Sequence, residues 1–472
     1  MKVRIFLKII DFTNVREYAE NMKKTLLLYP TIFISMVLIC LLFLLATAMI
    51  PQDAISANAL KSAEYFYNEA LFENKVGEFE NFKIDNYADC ISTGIAWHLG
   101  EGGNYRAVIS ADYNSLPDEN VNVSFYREMQ GEDVETENYS RYWHGSASVI
   151  RFMLMFTDIK IIRYMIAGLG ILLNLALVAV LIRKKQILLG VAYTVAFLLV
   201  NGVFALNCME YAFIFLLVPV ATIFLVQSRR MQYGHNAQAA FLAIGMLTAY
   251  FDFLTTETLT FTVPFVVYYL VVKASEEQQA ERKAQRKGDW LFLLKSGICW
   301  CVGYAGMFVV KWGLSAVTLG KDAFIESASH AMERVSGDVT LTSNVMGEKA
   351  NLAERIQGIF QKNLGCLYWS TQDVKAGTVA IITLAVIAVL GSFWYMTRKE
   401  KYEYDRTVLL CAVATVPFLR FLVLSNHAYI HYFFTYRALL VTVMVLIYLM
   451  YETTFLSGVK GKNRRKKNAG KG

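Results

Sequence analysis

An all-α polytopic membrane protein is the fold class that this sequence predicts, and three observations carry the prediction. Hydrophobic residues make up 56% of the 472 positions, at a mean hydropathy of +0.38, which is too apolar for a soluble multidomain chain. These residues gather in long unbroken runs, where the strands of a soluble sheet would alternate. The basic residues, which outnumber the acidic ones by 46 to 39, fall between the runs in a pattern that suits one side of a bilayer.

The first run, Thr25–Ile50, exceeds the roughly 20 residues that cross about 30 Å of hydrocarbon. It is too long for a signal-peptide core, and the segment 1–24 before it carries Lys2, Arg4, Lys8, Arg16, Lys23 and Lys24. It is therefore expected to stay as an anchor with a cytosolic N-terminus. Nine more runs follow, at Tyr164–Ile182, Ile187–Ala205, Cys208–Gln227, Ala237–Thr256, Thr258–Val272, Leu291–Trp312, Ala376–Met396, Thr407–Leu424 and His431–Tyr451. About ten spans result, six of them between the two long polar segments (158–314) and three near the end (376–451). Threading them from a cytosolic start places 27 of the 46 Lys and Arg inside, and the short outer turns near Asn207 and Glu257 carry none. Both termini then face the cytosol, and the basic tail 452–472 reads as a segment attracted to anionic lipid rather than to nucleic acid.

Two long polar segments fall outside, 51–157 and 315–375. The first holds 17 acidic residues against 7 basic ones, a balance of −10 in a chain of net +7. Within it, Leu60, Ala63, Phe66, Tyr67, Ala70 and Leu71 recur at helical spacing, so 54–73 is expected to be an amphipathic helix near the membrane surface; an ordinary helix of a small external domain is the alternative. The stretch 100–138 reads as mostly loop. In the second segment, 352–364 is another amphipathic candidate. Of the seven cysteines, only Cys90 and Cys366 lie in polar segments, and nothing in the spacing favours a disulfide between them.

Chemistry is expected where charge meets apolar runs. Ala237–Phe251 has only 15 uncharged residues, about 22 Å of helix, so Asp252 is drawn to the outer edge. By the same reasoning Lys311, Arg420 and Arg437 fall at the outer ends of three different helices. An ion at membrane depth usually faces a cavity or a partner. Snorkelling explains Lys311 and Arg437 singly, whereas the three together would make a cationic pocket for a phosphate or diphosphate. Asp85 and Asp89, spaced i to i+4 in Asp85-Asn86-Tyr87-Ala88-Asp89, would share one face of a helix, and either could take a proton from a hydroxyl; a solvated acidic face is the competing explanation. Arg141-Tyr142-Trp143-His144 is a polar and aromatic cluster suited to a sugar or headgroup, or to an interfacial belt. His427 and His431 are also i to i+4, but no Glu or Cys completes a metal site beside them, so they and Tyr436 read as structural or substrate-orienting.

A cytosolic start, one helix, an external segment bearing an Asp motif, many further helices and a second amphipathic external segment together resemble the GT-C class of integral-membrane glycosyltransferases. The motifs around Asp85–Asp89, Tyr142–Gly145, Asp252–Thr256 and His431–Arg437 also look like those of an uncharacterised group of bacterial membrane proteins of this design. The resemblance covers the topology, and the motifs are loose. In GT-C enzymes the first-segment Asp is often followed closely by another acid; here three residues intervene, which leaves open which Asp is the base. The resemblance implies transfer of a sugar from a polyprenyl-phosphate donor to a lipid or glycan acceptor at the outer face, in cell-envelope glycan assembly. It assigns Asp85 or Asp89 as base and the outer cations to the leaving phosphate, with inversion and no covalent intermediate; some members use a divalent metal. Competing expectations are a lipid-linked glycan flippase or transporter, for which repeats or midplane charges would be needed, a surface-polysaccharide polymerase or ligase, and a structural membrane protein without a cavity.

Overall fold

The computed structural model describes residues 12–100, 105–273, 282–336, 352–371, 375–397 and 404–452. Helix α1 (Phe12–Ala48) leads into the acidic segment, which is built of α2 (Ser56–Asn68), β1 (Phe72–Asn74), β2 (Lys83–Asp85), α3 (Asn86–His98), α4 (Tyr105–Ser110), β3 (Tyr113–Asn114), α5 (Val121–Met129), β4 (Thr136–Glu137) and α6 (Gly145–Leu154). The chain continues through α7 (Ile159–Arg183), α8 (Ile187–Leu199), α9 (Gly202–Ala205), α10 (Met209–Gln227), α11 (Gly234–Phe251) and α12 (Leu259–Tyr268). After these come α13 (Arg282–Leu319), α14 (Lys321–Ser336), α15 (Leu352–Leu367), α16 (Ala376–Thr397), α17 (Tyr404–Ala414), α18 (Val416–Val423), α19 (Ser425–Ile430) and a last helix, α20 (Tyr432–Glu452). The tail from 453 onward and the first eleven residues, on which much of the charge asymmetry rests, lie outside the described residues.

Among the described residues, six helical stretches are long and apolar enough to cross a membrane: Leu27–Ala48, Ile159–Arg183, Met209–Gln227, Gly288–Leu319, Arg406–Val423 and Tyr432–Glu452. Four other apolar helices are shorter, at Gly145–Leu154, Ile187–Leu199, Leu259–Lys273 and Ala376–Ile387. The run expected at Ile187–Ala205 is interrupted because Asn201 takes a left-handed φ of 55° and donates from Nδ2 to Asn81 O at 2.9 Å, a conformation Asn tolerates better than its apolar neighbours. Pro417 sits in the first turn of α18 and breaks the helix at Thr415. The carbonyl of Ala414 finds a donor instead in Thr442 Oγ1 at 2.7 Å.

The acidic segment is more ordered than its composition predicts. Helix α2 buries Ala59, Ala63 and Phe66 against α5, α3 and α7, so its apolar stripe is spent inside the protein, as the external-domain alternative anticipates. The stretch read as mostly loop contains α4 and α5 and the antiparallel β3–β4 pair, because Val108, Ile109, Val121 and Phe125 are buried anchors among its polar residues. Arg151, wholly buried, fastens this segment to the helices below it: it donates to Thr47 O (3.0 Å) and Ile50 O (2.6 Å) at the end of α1, and to Ala96 O (2.6 Å) and Trp97 O (2.9 Å) near the end of α3. These are helix-terminal carbonyls that have no partner within their own helix. Cys90 and Cys366 are both free and buried.

Helices α11 and α13 make the most extensive pairing in the molecule, and it depends on two glycines. A Cβ on Gly245 would stand 2.2 Å from Trp300 O, and one on Gly303 would stand 2.2 Å from Leu242 O. Between apolar helices, where burial supplies little drive, close backbone approach through small residues is the main source of contact. Gly245→Ala and Gly303→Ala are expected to lower the thermal midpoint of the detergent-solubilised protein. Gly168→Ala, on a helix face with nothing within 4 Å, should leave it unchanged or raise it slightly.

Candidate functional site

The two aspartates of the sequence motif occupy very different environments. Asp85 ends β2, opposite Phe72 of β1, and caps α3 by accepting from Ala88 N at 2.9 Å, as Asp does at a helix N-terminus. Its other oxygen, Oδ2, accepts from the Tyr211 hydroxyl at 3.2 Å. Asp89, one turn on, is fully engaged. Its Oδ2 is bound by Arg163 Nε at 2.7 Å and Nη2 at 2.6 Å, and by Met209 N at 3.0 Å; its Oδ1 is bound by Glu210 N at 3.1 Å and lies 3.5 Å from Cys208 Sγ. Arg163 also reaches Asn86 Oδ1 at 2.9 Å and the Tyr65 hydroxyl at 3.2 Å. The first N–H groups of α10 thus close on Asp89, where helix geometry and dipole favour an anion.

Asp85 is buried, 4% exposed, and burial pushes its carboxyl above the usual aspartate range against the pull of the Ala88 N–H; the charge of Asp89 adds to the rise. The side chains of Asp85 and Glu210 also interact electrostatically. Glu210 Oε2 is buried with no hydrogen-bond partner among the described residues. Across the ring of Tyr211 lies Arg437: its guanidinium carbon is 5.1 Å from that ring's centroid, and Nη2 donates to Asn81 O at 3.3 Å. Arg437 is fully buried, and its Nε and Nη1 have no hydrogen-bond partner among the described residues. Tyr211 therefore stands between a carboxylate and an arginine with two open donors.

The other residues singled out from the sequence distribute as follows. Lys311 donates to Ile109 O at 2.8 Å and Val108 O at 3.4 Å, near the end of α4, and Trp143 Nε1 donates to Met307 O at 2.8 Å; both fasten the acidic segment to α13. Arg420 pairs with Glu257, Nε to Oε1 at 2.8 Å and Nη2 to Oε2 at 3.2 Å, and also binds Leu254 O. It thereby holds the turn between α11 and α12. In that turn Asp252 accepts from Leu254 N at 2.8 Å and Thr255 N at 3.1 Å. The three cations expected to form one pocket therefore have separate partner sets, and Arg437 alone among them contacts the Asp85 neighbourhood.

Arg141 lies 4.1 Å above the Tyr139 ring. His144, in a left-handed conformation at φ 56°, hydrogen-bonds Tyr139 O through Nε2 at 2.7 Å; burial first, and then Lys311, hold its pKa down at about 3, so it is neutral. The rings of His427 and His431 are 4.6 Å apart, and His431 Nε2 lies 3.5 Å from Arg334 Nη1; burial, then His431, keep His427 neutral. The Tyr436 hydroxyl donates to Val200 O at 2.9 Å. Sequence reasoning passed over Arg163, Glu210 and Tyr211. The available signal was an acid at the head of the apolar run Cys208–Gln227 and a cation one residue before Tyr164, both readable as ordinary flanking charges.

No protein-family model matches the chain, and neither does any curated protein or solved structure. The site's chemistry therefore rests on its own geometry. Removing one partner of a buried, hydrogen-bonded ion pair costs about 3–5 kcal/mol, so Asp89→Asn and Arg163→Met are each expected to speed thermal unfolding of the solubilised protein markedly, followed by tryptophan fluorescence. Asp85→Asn keeps a capping side chain and should unfold close to the parental rate.

Proposed function

We propose that this protein is a GT-C-like membrane glycosyltransferase that moves a sugar from a polyprenyl-phosphate donor to an acceptor hydroxyl at the outer membrane face, in cell-envelope glycan assembly. In this proposal α8, α11, α12 and α16 join the six longer helices to make about ten crossings, and both termini are cytosolic. The observation that carries it is the pairing, across Tyr211, of a buried carboxylate with a raised proton affinity and a buried arginine with two open donors.

The chemistry divides cleanly between them. The acceptor oxygen attacks the anomeric carbon from the face opposite the lipid phosphate, and the bond from that carbon to the phosphate oxygen breaks. The electron pair leaves with the phosphate, and the hydroxyl proton passes to Asp85. A carboxyl with its proton affinity raised toward neutrality is a better general base than an ordinary surface aspartate. Glu210, which interacts electrostatically with Asp85, disfavours a second negative charge beside it and so favours uptake of the arriving proton. Arg437 binds the departing phosphate through Nε and Nη1, a charge-assisted interaction that strengthens as negative charge develops. The charge on the phosphate is assigned to Arg437. Asp89, saturated by Arg163 and α10, serves to position α3.

The test is transfer from radiolabelled polyprenyl-phosphate sugars by the purified protein in lipid. Asp85→Asn is expected to lower the rate by about 10²–10⁴-fold, the usual span for a general base, and Arg437→Ala by about 10²–10³-fold. Asp85→Asn transferring at the parental rate would overturn the assignment. Because the base must be deprotonated and burial raises its pKa, kcat/KM should fall as pH is lowered, on a limb lying above the ordinary aspartate value of about 4.

A further inference from the structure

Two half-exposed aromatic rings lie close to Asp85 along the backbone. Phe72 is 45% exposed and Tyr87 is 38% exposed, yet their rings stack on each other with centroids 5.9 Å apart and planes at 22°. Both are tied to the candidate base by backbone position. Phe72 is the residue directly opposite Asp85 in the β1–β2 ladder, and Tyr87 follows Asp85 by two residues in the first turn of α3. Beneath them, Phe433 meets Phe72 edge-on at 6.1 Å, and Lys83 Nζ lies 5.1 Å over the Phe433 ring. Glu137 and Arg141 are within electrostatic reach of the Tyr87 hydroxyl.

Exposed aromatic area that stays in water costs free energy, and here the two rings sit on a short strand and a helix turn and are left half exposed. An aromatic face is electron-rich and its edge electron-poor. A pyranose ring offers a complementary surface: one face carries C–H hydrogens with slight positive character, while its rim of hydroxyls needs polar partners such as Lys83, Glu137 and Arg141. We infer that Phe72 and Tyr87 form a sugar-stacking subsite, so that the acceptor is a carbohydrate whose ring packs on this pair and whose free hydroxyl is presented to Asp85. The inference rests on the glycosyl-transfer proposal and makes its acceptor class specific, a glycan instead of a bare lipid or protein hydroxyl.

Binding can be read without turnover, which separates this inference from the activity it extends. Saturation-transfer difference NMR on the full chain in nanodiscs, with maltotriose, mannotriose and triacetylchitotriose as probes, is expected to show transfer to ring C–H protons of at least one trisaccharide. Phe72→Ala/Tyr87→Ala should weaken that binding at least tenfold while the thermal midpoint holds, since both rings are half exposed. Asp85→Asn should retain it. No signal from any of the three with the parental protein, or a signal unchanged in the double variant, overturns the subsite and leaves the rings as an interfacial belt. Loss of transfer activity in Asp85→Asn is a separate result, and it stands or falls with the proposed base alone.

Discussion

The clasp between Asp89 and Arg163 is the interaction on which the rest of the site depends. It joins α3, α7 and α10 at one point, and two of those helices arrive there by their N-termini. Each such terminus carries unsatisfied N–H groups and roughly half a positive charge, and Arg163 adds a full one in a place 3% exposed. Without carboxylates this meeting would be strongly unfavourable. Asp89 answers Arg163 and the head of α10, and Asp85 answers the head of α3. Because Arg163 is consumed by Asp89, no cation among the described residues pairs with Asp85, and burial can raise its proton affinity. The clasp and the candidate base are two consequences of one charge balance.

The same economy governs the other buried cations. Arg151 spends four donated hydrogen bonds on the ends of α1 and α3, Lys311 spends its charge near the end of α4, and Arg420 spends its own on Glu257 and on a turn carbonyl. Where the chain leaves helices in a low-dielectric setting, terminal carbonyls must be met, and a cation is the strongest donor available. Arg437 departs from this pattern: one contact at 3.3 Å to Asn81 O, two aromatic rings beside it, and two donors open. That difference, more than the presence of positive charge, is what its proposed phosphate-binding role rests on.

Much of the frame was legible in the sequence, since apolar length is a local property. The runs at Thr25–Ile50, Cys208–Gln227 and His431–Tyr451 correspond closely to long apolar helices, and the amphipathic pattern at 352–364 corresponds to α15. The Asp85–Asp89 motif was visible too, but spacing treats its two acids as equals. What separates them is Arg163, 74 residues from Asp89 in sequence, and the head of α10, 120 residues from it; no periodicity reports a partner at such range. Polar composition likewise concealed α4 and α5, because a few buried anchors suffice to order a short helix when a larger framework already surrounds it.

Position also explains how a buried carboxylate could meet a substrate. Asp89 lies within the body of α3, held on both oxygens, and cannot move without opening three helices. Asp85 lies where the chain passes from strand to helix, and the β1–β2 ladder that carries it is only three residues long on each strand. An isolated two-stranded ribbon of that length has little stability of its own, so its displacement costs far less than disturbance of the clasp. The rigid carboxylate fixes the helix, and the neighbouring one is mounted on the part of the segment that yields most easily. Phe72 and Tyr87 flank it on that same part, so a ligand that engages the rings acts directly on the element that carries Asp85.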